Sequence, residues 1–571
     1  MVIKPHRIAA GVATVAGLMI ILELIDRYTR PVLRITKSLT PTEMEELIVL
    51  KYKAFSSKYA LGLKWVANPG YEEGREAVHD MLVEYLKGSL SGTENAEEEA
   101  RRRASEMISE ASRAAPERRM ELLNMASTVI AYPPSLLFIG PPGVGKSESA
   151  YEAAKDIARD FDLEFIDFTG AEDLAKISNE PWRYFVYVDL RLTSMEPADI
   201  TGIPRTRFAK KPTSDYTPFA WARALEISPG LLNLEELTNV QRKDLISAAY
   251  QLVLDHRAGF VKFNKGVMVI ALGNPPEWSQ VATKIPLPLL NRFETFNVVA
   301  PLADEWVRYM NRRFGDEWYK PIGDYIRASE VGGTSALLPP KPPAKVGISQ
   351  EEQIPTPRSW TRLAVQLYQI FRDVENPIEY ITDIIRDIVK RYEGSCTKVQ
   401  SLTPSSPEYN ERIKHMKMVC ETFAANIGVD ATREAIISIG GVEYRPDEHL
   451  KSFEAFRKWY EDTVNKLVSY GFPEDRARNI TNFWTIKGTA SYLDRLYKEG
   501  KRDELLRLAR VLAEVADFLY ERGVSKTDLV MMFSPVCGRQ DLEFKNILYE
   551  NSRVVREHVE EYMKTMLGSS E

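Results

Sequence analysis

Leu136-Leu-Phe-Ile-Gly-Pro-Pro-Gly-Val-Gly-Lys-Ser147 decides the fold. Its four leading apolar residues read as a short buried strand, and the glycines and prolines from Gly140 to Gly145 can continue neither a strand nor a helix. Lys146 and Ser147 then open a helical pattern through Glu148 and Ala150. Strand, glycine-rich turn and helix in that order make a phosphate cradle. Glycines let successive backbone N–H groups face one point, and the helix N-terminus adds its own unpaired N–H groups and the positive end of its dipole. Lys146 suits the β- and γ-phosphates of a nucleoside triphosphate, and the Ser147 hydroxyl suits Mg2+. Gly140, Pro141, Pro142, Gly143, Val144, Gly145, Lys146 and Ser147 are therefore the expected binding residues for ATP.

Outward from this loop, Phe185-Val-Tyr-Val-Asp189, Leu231-Leu-Asn-Leu234 and Val267-Met-Val-Ile-Ala-Leu272 repeat the apolar strand pattern, with helical segments between them. That alternation predicts an α/β core over residues 131–300, a parallel sheet with helices on both faces. Residues 40–130 carry apolar positions at helical spacing and form a helical N-terminal region, in which Gly88 to Arg103 reads as a loop entering a solvated helix. After Pro301 the pattern is helical to the end. We divide it into a helical lid over 301–444, interrupted by the proline-rich loop Leu338 to Pro343, and a helical C-terminal extension over 445–571. Trp459, Trp484 and Tyr492 fall at core spacing in the extension.

The bulk properties narrow the classes. At 571 residues the chain exceeds one hydrophobic core, and a net charge of −6 argues against a protein that coats nucleic acid. The three cysteines, Cys396, Cys420 and Cys537, lie in no CxxC or His-paired pattern, and read as reduced structural thiols of a cytoplasmic protein. No HExxH occurs, which removes support for a zinc hydrolase. Residues 1–39 form a separate segment. Within it, residues 8–25 are mainly apolar but are broken by Glu23, and the basic residues Arg27, Arg30, Arg34 and Lys37 follow. The run fits an uncleaved membrane anchor with the rest of the chain on the cytoplasmic side, and equally an amphipathic or partner-bound helix.

A phosphate loop binds nucleotide but does not activate water. Gly230-Leu-Leu-Asn-Leu-Glu235-Glu236 places two carboxylates after an apolar strand, which we divide between Mg2+ (Glu235) and a general base for water (Glu236).

Taken together these motifs resemble the MoxR-like branch of the AAA+ ATPases, within the P-loop NTPase superfamily, over roughly residues 130–440. The resemblance extends to Val188 to Gly202, to Leu237-Thr-Asn-Val-Gln241 and to Ala248 to Arg257. The family usually has Asp where this chain has Glu235. The resemblance implies that Asn274, in Ala271-Leu-Gly-Asn-Pro-Pro-Glu277, is the sensor 1 residue holding the attacking water. It also implies that Arg292, in Leu287-Pro-Leu-Leu-Asn-Arg-Phe293, is the arginine finger, and that Arg358, in Thr356-Pro-Arg-Ser-Trp360, is the sensor 2 arginine. Taken alone, Arg292 fits a surface ion pair and Thr356 a helix cap. A finger acting in trans implies a homo-oligomer, most often a hexameric ring, and the family commonly acts as a remodelling or assembly chaperone with a von Willebrand factor type A domain partner. Two other classes stay open. One is a nucleic-acid translocase or restriction-type motor, for which Arg205-Thr-Arg-Phe-Ala-Lys-Lys211 is the candidate loop. The other is a non-hydrolysing structural ring, motivated by Glu235.

Overall fold

A computed structural model describes residues 38–557, apart from 92–94, 208–212, 280, 331–335, 340–352, 405–409, 443 and 538–541. The candidate anchor at 8–25, residues 208–211 of the basic loop and residues 340–343 of the proline-rich loop lie outside the described residues. Among the described residues no helix is long and apolar enough to cross a membrane.

The chain divides into two compact units. One takes in the described residues up to Pro141 together with Lys146–Val299. The other takes in Pro142–Gly145 and the described residues from Ala300 onward.

The first unit is built on strands β1 (Leu136–Ile139), β2 (Glu164–Asp167), β3 (Tyr184–Arg191), β4 (Ile203–Arg207), β5 (Thr213–Thr217), β6 (Gly230–Glu235), β7 (Arg257–Ala258), β8 (Val261–Lys262), β9 (Val267–Gly273) and β10 (Glu294–Asn297). Six of them form one sheet in the order β10-β1-β9-β6-β3-β2, with every neighbouring pair parallel. β4–β5 and β7–β8 are separate antiparallel hairpins. β9 is buried along its whole length, as expected of a parallel strand covered on both faces. Alternate residues Leu137, Val186, Val188, Leu232, Leu234, Val269 and Ala271 share a core with Trp221 and Leu225 of helix Ala220–Ile227 and with Leu245 and Leu252 of helix Lys243–Leu254. Tyr187 lies on the other side of the strand, where Tyr151 of helix Lys146–Asp160 meets both Phe165 and Tyr187 edge-on at 5.3 Å. The helical N-terminal region enters through Pro41–Ala67, whose Thr40 and Glu43 form a reciprocal capping box. Tyr52 of that helix donates to the Gly266 carbonyl at 2.9 Å. Arg119, also buried, donates to the Val66 and Ala114 carbonyls.

Helices make up the second unit. Ala303–Phe314, Pro321–Glu330, Pro357–Ile370, Pro377–Tyr392, Glu411–Ile427 and Val429–Gly441 share a core that includes Trp306, Trp318, Trp360, Ile385 and Phe423. Phe453–Ser469, Glu474–Lys498 and Arg502–Glu521 contribute to another, with Phe456, Leu493 and Leu512.

Two expectations need correction. The sequence pattern misses β2 and β10 because Glu164-Phe-Ile-Asp167 and Glu294-Thr-Phe-Asn297 are short edge strands with polar ends, so they lack the continuous apolar run of the inner strands. Cys396 and Cys420 are not reduced thiols: they form a disulfide, and Cys537 is free. Helix Cys396–Gln400 packs on Glu411–Ile427 and brings the two Cα atoms to 5.5 Å. A sequence separation of 24 leaves no local motif to reveal the pairing.

Candidate functional site

Because the sheet is parallel, the carboxyl ends of its strands lie along one edge. The chain leaves β1 for the far strand β2, returns through β3 and β6 to β9 on one side of β1, and then places β10 on the other side. Ligand crevices in open α/β sheets form where the strand order reverses in this way. Gly140 follows β1, Glu235 ends β6 and Asn274 follows β9, so the expected loop, acid pair and sensor all fall on that edge.

The loop is held by its own backbone. Gly140 N–H donates to the Gly273 carbonyl at 3.1 Å, and a Cβ at 140 would sit 2.4 Å from the Val298 carbonyl oxygen. Gly143 and Gly145 adopt φ values of 74° and 113°, a region that L side chains rarely enter. Lys146 is 8% exposed, and its ammonium donates to the carbonyls of Gly140 and Pro141, each at 2.8 Å, and to Asn274 Oδ1 at 3.0 Å. Lys146 and Asn274, 128 positions apart, are thus in direct contact.

At the end of β6, Glu235 is 9% exposed and Asn233 is fully buried. The Asn233 amide nitrogen lies 3.1 Å from each of Glu235 Oε1, Asp189 Oδ1 and the Tyr187 hydroxyl, while its Oδ1 is buried without a hydrogen-bond partner among the described residues. Asp189 as a residue is exposed at the sheet edge, but its carboxyl is crowded on the side facing Asn233. Desolvation and then the Glu235 charge push its pKa up to about 6, against the opposing pull of Arg191 and Asn233. Glu236 turns outward through a left-handed backbone conformation (φ 57°), a strained choice for a residue other than glycine. Its carboxylate accepts from the Thr193 hydroxyl at 3.1 Å. Thr238 joins the turns after β6 and β9, since its hydroxyl accepts from Asn274 N–H at 2.8 Å and its carbonyl from Thr283 N–H at 2.7 Å.

The two remaining arginines belong to different units. Arg292 is half-buried, with its guanidinium 5.8 Å from the Tyr250 ring centroid and no hydrogen-bond partner for Nε among the described residues. Within the second unit, Arg358 N–H donates to the Gly143 carbonyl at 3.0 Å, and a Cβ on Gly143 would meet Thr356 Oγ1 at 2.8 Å. Thr356 does cap helix Pro357–Ile370, accepting from Ser359 N–H at 3.2 Å, and the Arg358 side chain is exposed.

Sequence reasoning passed over Asp189, Thr193, Asn233 and Thr238. Asn233 left a legible sign, a polar residue inside the apolar run Leu231 to Leu234. Among the described residues no group of three or more His, Cys, Asp or Glu is arranged to hold a metal by itself. A Mg2+ ion here would need phosphate and water oxygens besides Ser147 and Glu235. No protein-family model matches the chain, and a search of curated proteins finds no match.

Proposed function

We propose that this chain is a Mg2+-dependent ATPase of the AAA+ class, close to the MoxR-like branch, working as a homo-oligomeric ring that remodels or assembles protein partners. The observation that carries the reading is the Lys146–Asn274 hydrogen bond at the carboxyl edge, on the same edge as the Glu235–Glu236 pair. The residues fit the nucleotide on chemical grounds. The Lys146 ammonium donates to the carbonyls of Gly140 and Pro141 and to the Asn274 amide oxygen, neutral acceptors for which anionic phosphate oxygens would substitute ion-paired hydrogen bonds. Bound Mg2+ supplies charge neutralisation between the phosphates.

The chain's own groups divide the remaining work. Loop N–H groups and Lys146 hold the β- and γ-phosphates, while Ser147 and Glu235 hold the metal. Glu236, oriented by Thr193, takes a proton from the attacking water, and the Asn274 amide positions that water. Arg292 from a neighbouring copy and Arg358 neutralise charge developing on the phosphoryl oxygens.

Steady-state phosphate release with ATP and Mg2+, measured with nucleotide binding, tests the proposal. Glu236→Gln should lower turnover by about 10²–10⁴-fold with binding retained, and Lys146→Ala should lose binding. Absence of phosphate release from the unaltered chain would leave a structural ring in place of an enzyme. Stimulation by nucleic acid with a steep salt dependence would move the assignment to a motor.

A further inference from the structure

A cavity of about 460 Å3 lies within the second unit, where helices Pro321–Glu330, Pro377–Tyr392 and Val429–Gly441 meet helix Glu474–Lys498. Its volume is in the range of small-molecule sites, about 300–1,000 Å3. Among the described residues three cations line it, Arg386, Arg445 and Lys487, against one lining carboxylate, Asp324, which is already bound to Lys487. Arg386 pairs with Asp383 at 2.9 Å and Arg445 with Glu448 at 3.2 Å, both i,i+3 pairs on exposed side chains. Such pairs hold weakly and exchange readily for a better anion.

An aromatic side chain stands beside the cations. Trp484 lines the cavity, and its indole N–H is buried without a hydrogen-bond partner among the described residues. A buried unsatisfied donor is costly unless a ligand or water completes it. Lys487 Nζ lies 5.4 Å from the centroid of the Trp484 ring. Tyr444 forms another wall, packed so closely on helix Glu474–Lys498 that a Cβ at Gly488 would stand 2.5 Å from its ring. Among the described residues the lining therefore carries more cations than carboxylates, and it combines phosphate-binding side chains with aromatic faces.

We infer that this cavity is a second ligand site that takes a phosphorylated ligand of mononucleotide size, with its phosphate on Arg386, Arg445 and Lys487 and its ring system against Trp484. The site is separate from the phosphate loop and does not depend on ATP hydrolysis there.

Isothermal titration of the full chain carrying Lys146→Ala, which disables the phosphate loop, tests the inference with AMP, adenosine and pyrophosphate as probes. AMP is expected to bind one per chain, with adenosine at least about tenfold weaker for want of charge-assisted bonds. Arg386→Ala, at an exposed side chain whose loss leaves the core intact, should weaken AMP about tenfold, and Trp484→Phe about fivefold. No heat with AMP overturns the site, as does AMP binding unchanged by both substitutions. Pyrophosphate binding as tightly as AMP overturns the aromatic half of the assignment.

Discussion

Removal of the Cys396–Cys420 disulfide should loosen the helical core of the second unit by a calculable amount. The bond closes a loop with a sequence separation of 24. In the chain-entropy treatment a loop of this length restricts the unfolded chain by about 3.5 kcal/mol at 25 °C. Cys420 is 1% exposed in the core that holds Met416 and Phe423, so Cys420→Ala adds a small cavity worth about 1 kcal/mol. Reduction of the native chain isolates the first quantity, and the double substitution Cys396→Ala, Cys420→Ala reads the sum. Amide hydrogen exchange in helix Glu411–Ile427 is the assay, because 3.5 kcal/mol corresponds to a loss of protection of about 400-fold where exchange proceeds through opening of that core. A thiol count anchors the comparison: the denatured, unreduced chain should show one reactive thiol, Cys537, and the reduced chain three. Three reactive thiols before reduction, or a change in protection below threefold after it, would refute the reasoning.

Three further outcomes follow from the site. Gly143→Ala forces a left-handed alanine and a contact with Thr356 at 2.8 Å, so it should cost about 1–2 kcal/mol in thermal unfolding and weaken nucleotide binding in a filter assay. Asp189 binds its proton more tightly folded than unfolded, since its pKa rises from 3.8 to about 6. Its ionisation therefore removes stability as pH climbs from about 4 to about 6, and Asp189→Asn should flatten that part of the stability-versus-pH curve measured in EDTA. Asn274→Ala deletes one acceptor of the Lys146 ammonium, so direct binding assays should show ATP held more tightly, by up to about tenfold, while turnover falls. Weaker ATP binding would instead place the Asn274 amide on the phosphates.

Inner strands were legible in the amino-acid sequence and edge strands were not, for a physical reason. Leu136 to Ile139 and Val267 to Gly273 are covered on both faces and must be apolar throughout, whereas Glu164 to Asp167 needs only Ile166 buried. The same logic hid the disulfide: nothing near Cys396 in the chain reports that Cys420 stands on the next helix. Helices such as Pro377–Tyr392, with Ile381, Ile384, Ile385 and Ile388 buried on one stripe, announce themselves by periodicity alone.

The site divides along a similar line. Gly140 to Ser147, Glu235 and Glu236 stood out because the proposed phosphate binding and water activation would demand particular residue types at particular strand ends. Their supports were not visible, because a support is defined by what it touches. Asn233 touches Asp189 as well as its strand neighbour Glu235, Thr193 touches Glu236, and Thr238 links the turn after β6 to Asn274; apart from the Asn233–Glu235 contact, each spans a separation that no local pattern encodes. Glu235 shows why the supports matter. A glutamate has one more rotatable bond than an aspartate, and in the proposed role of metal ligand Glu235 would have to hold its geometry closely. The Asn233 amide, buried between Glu235 and Asp189, supplies the restraint that a longer side chain lacks. Glu235 and the polar residue two positions before it are thus parts of one arrangement, in which the strand gives up an apolar packing position to fix a carboxylate.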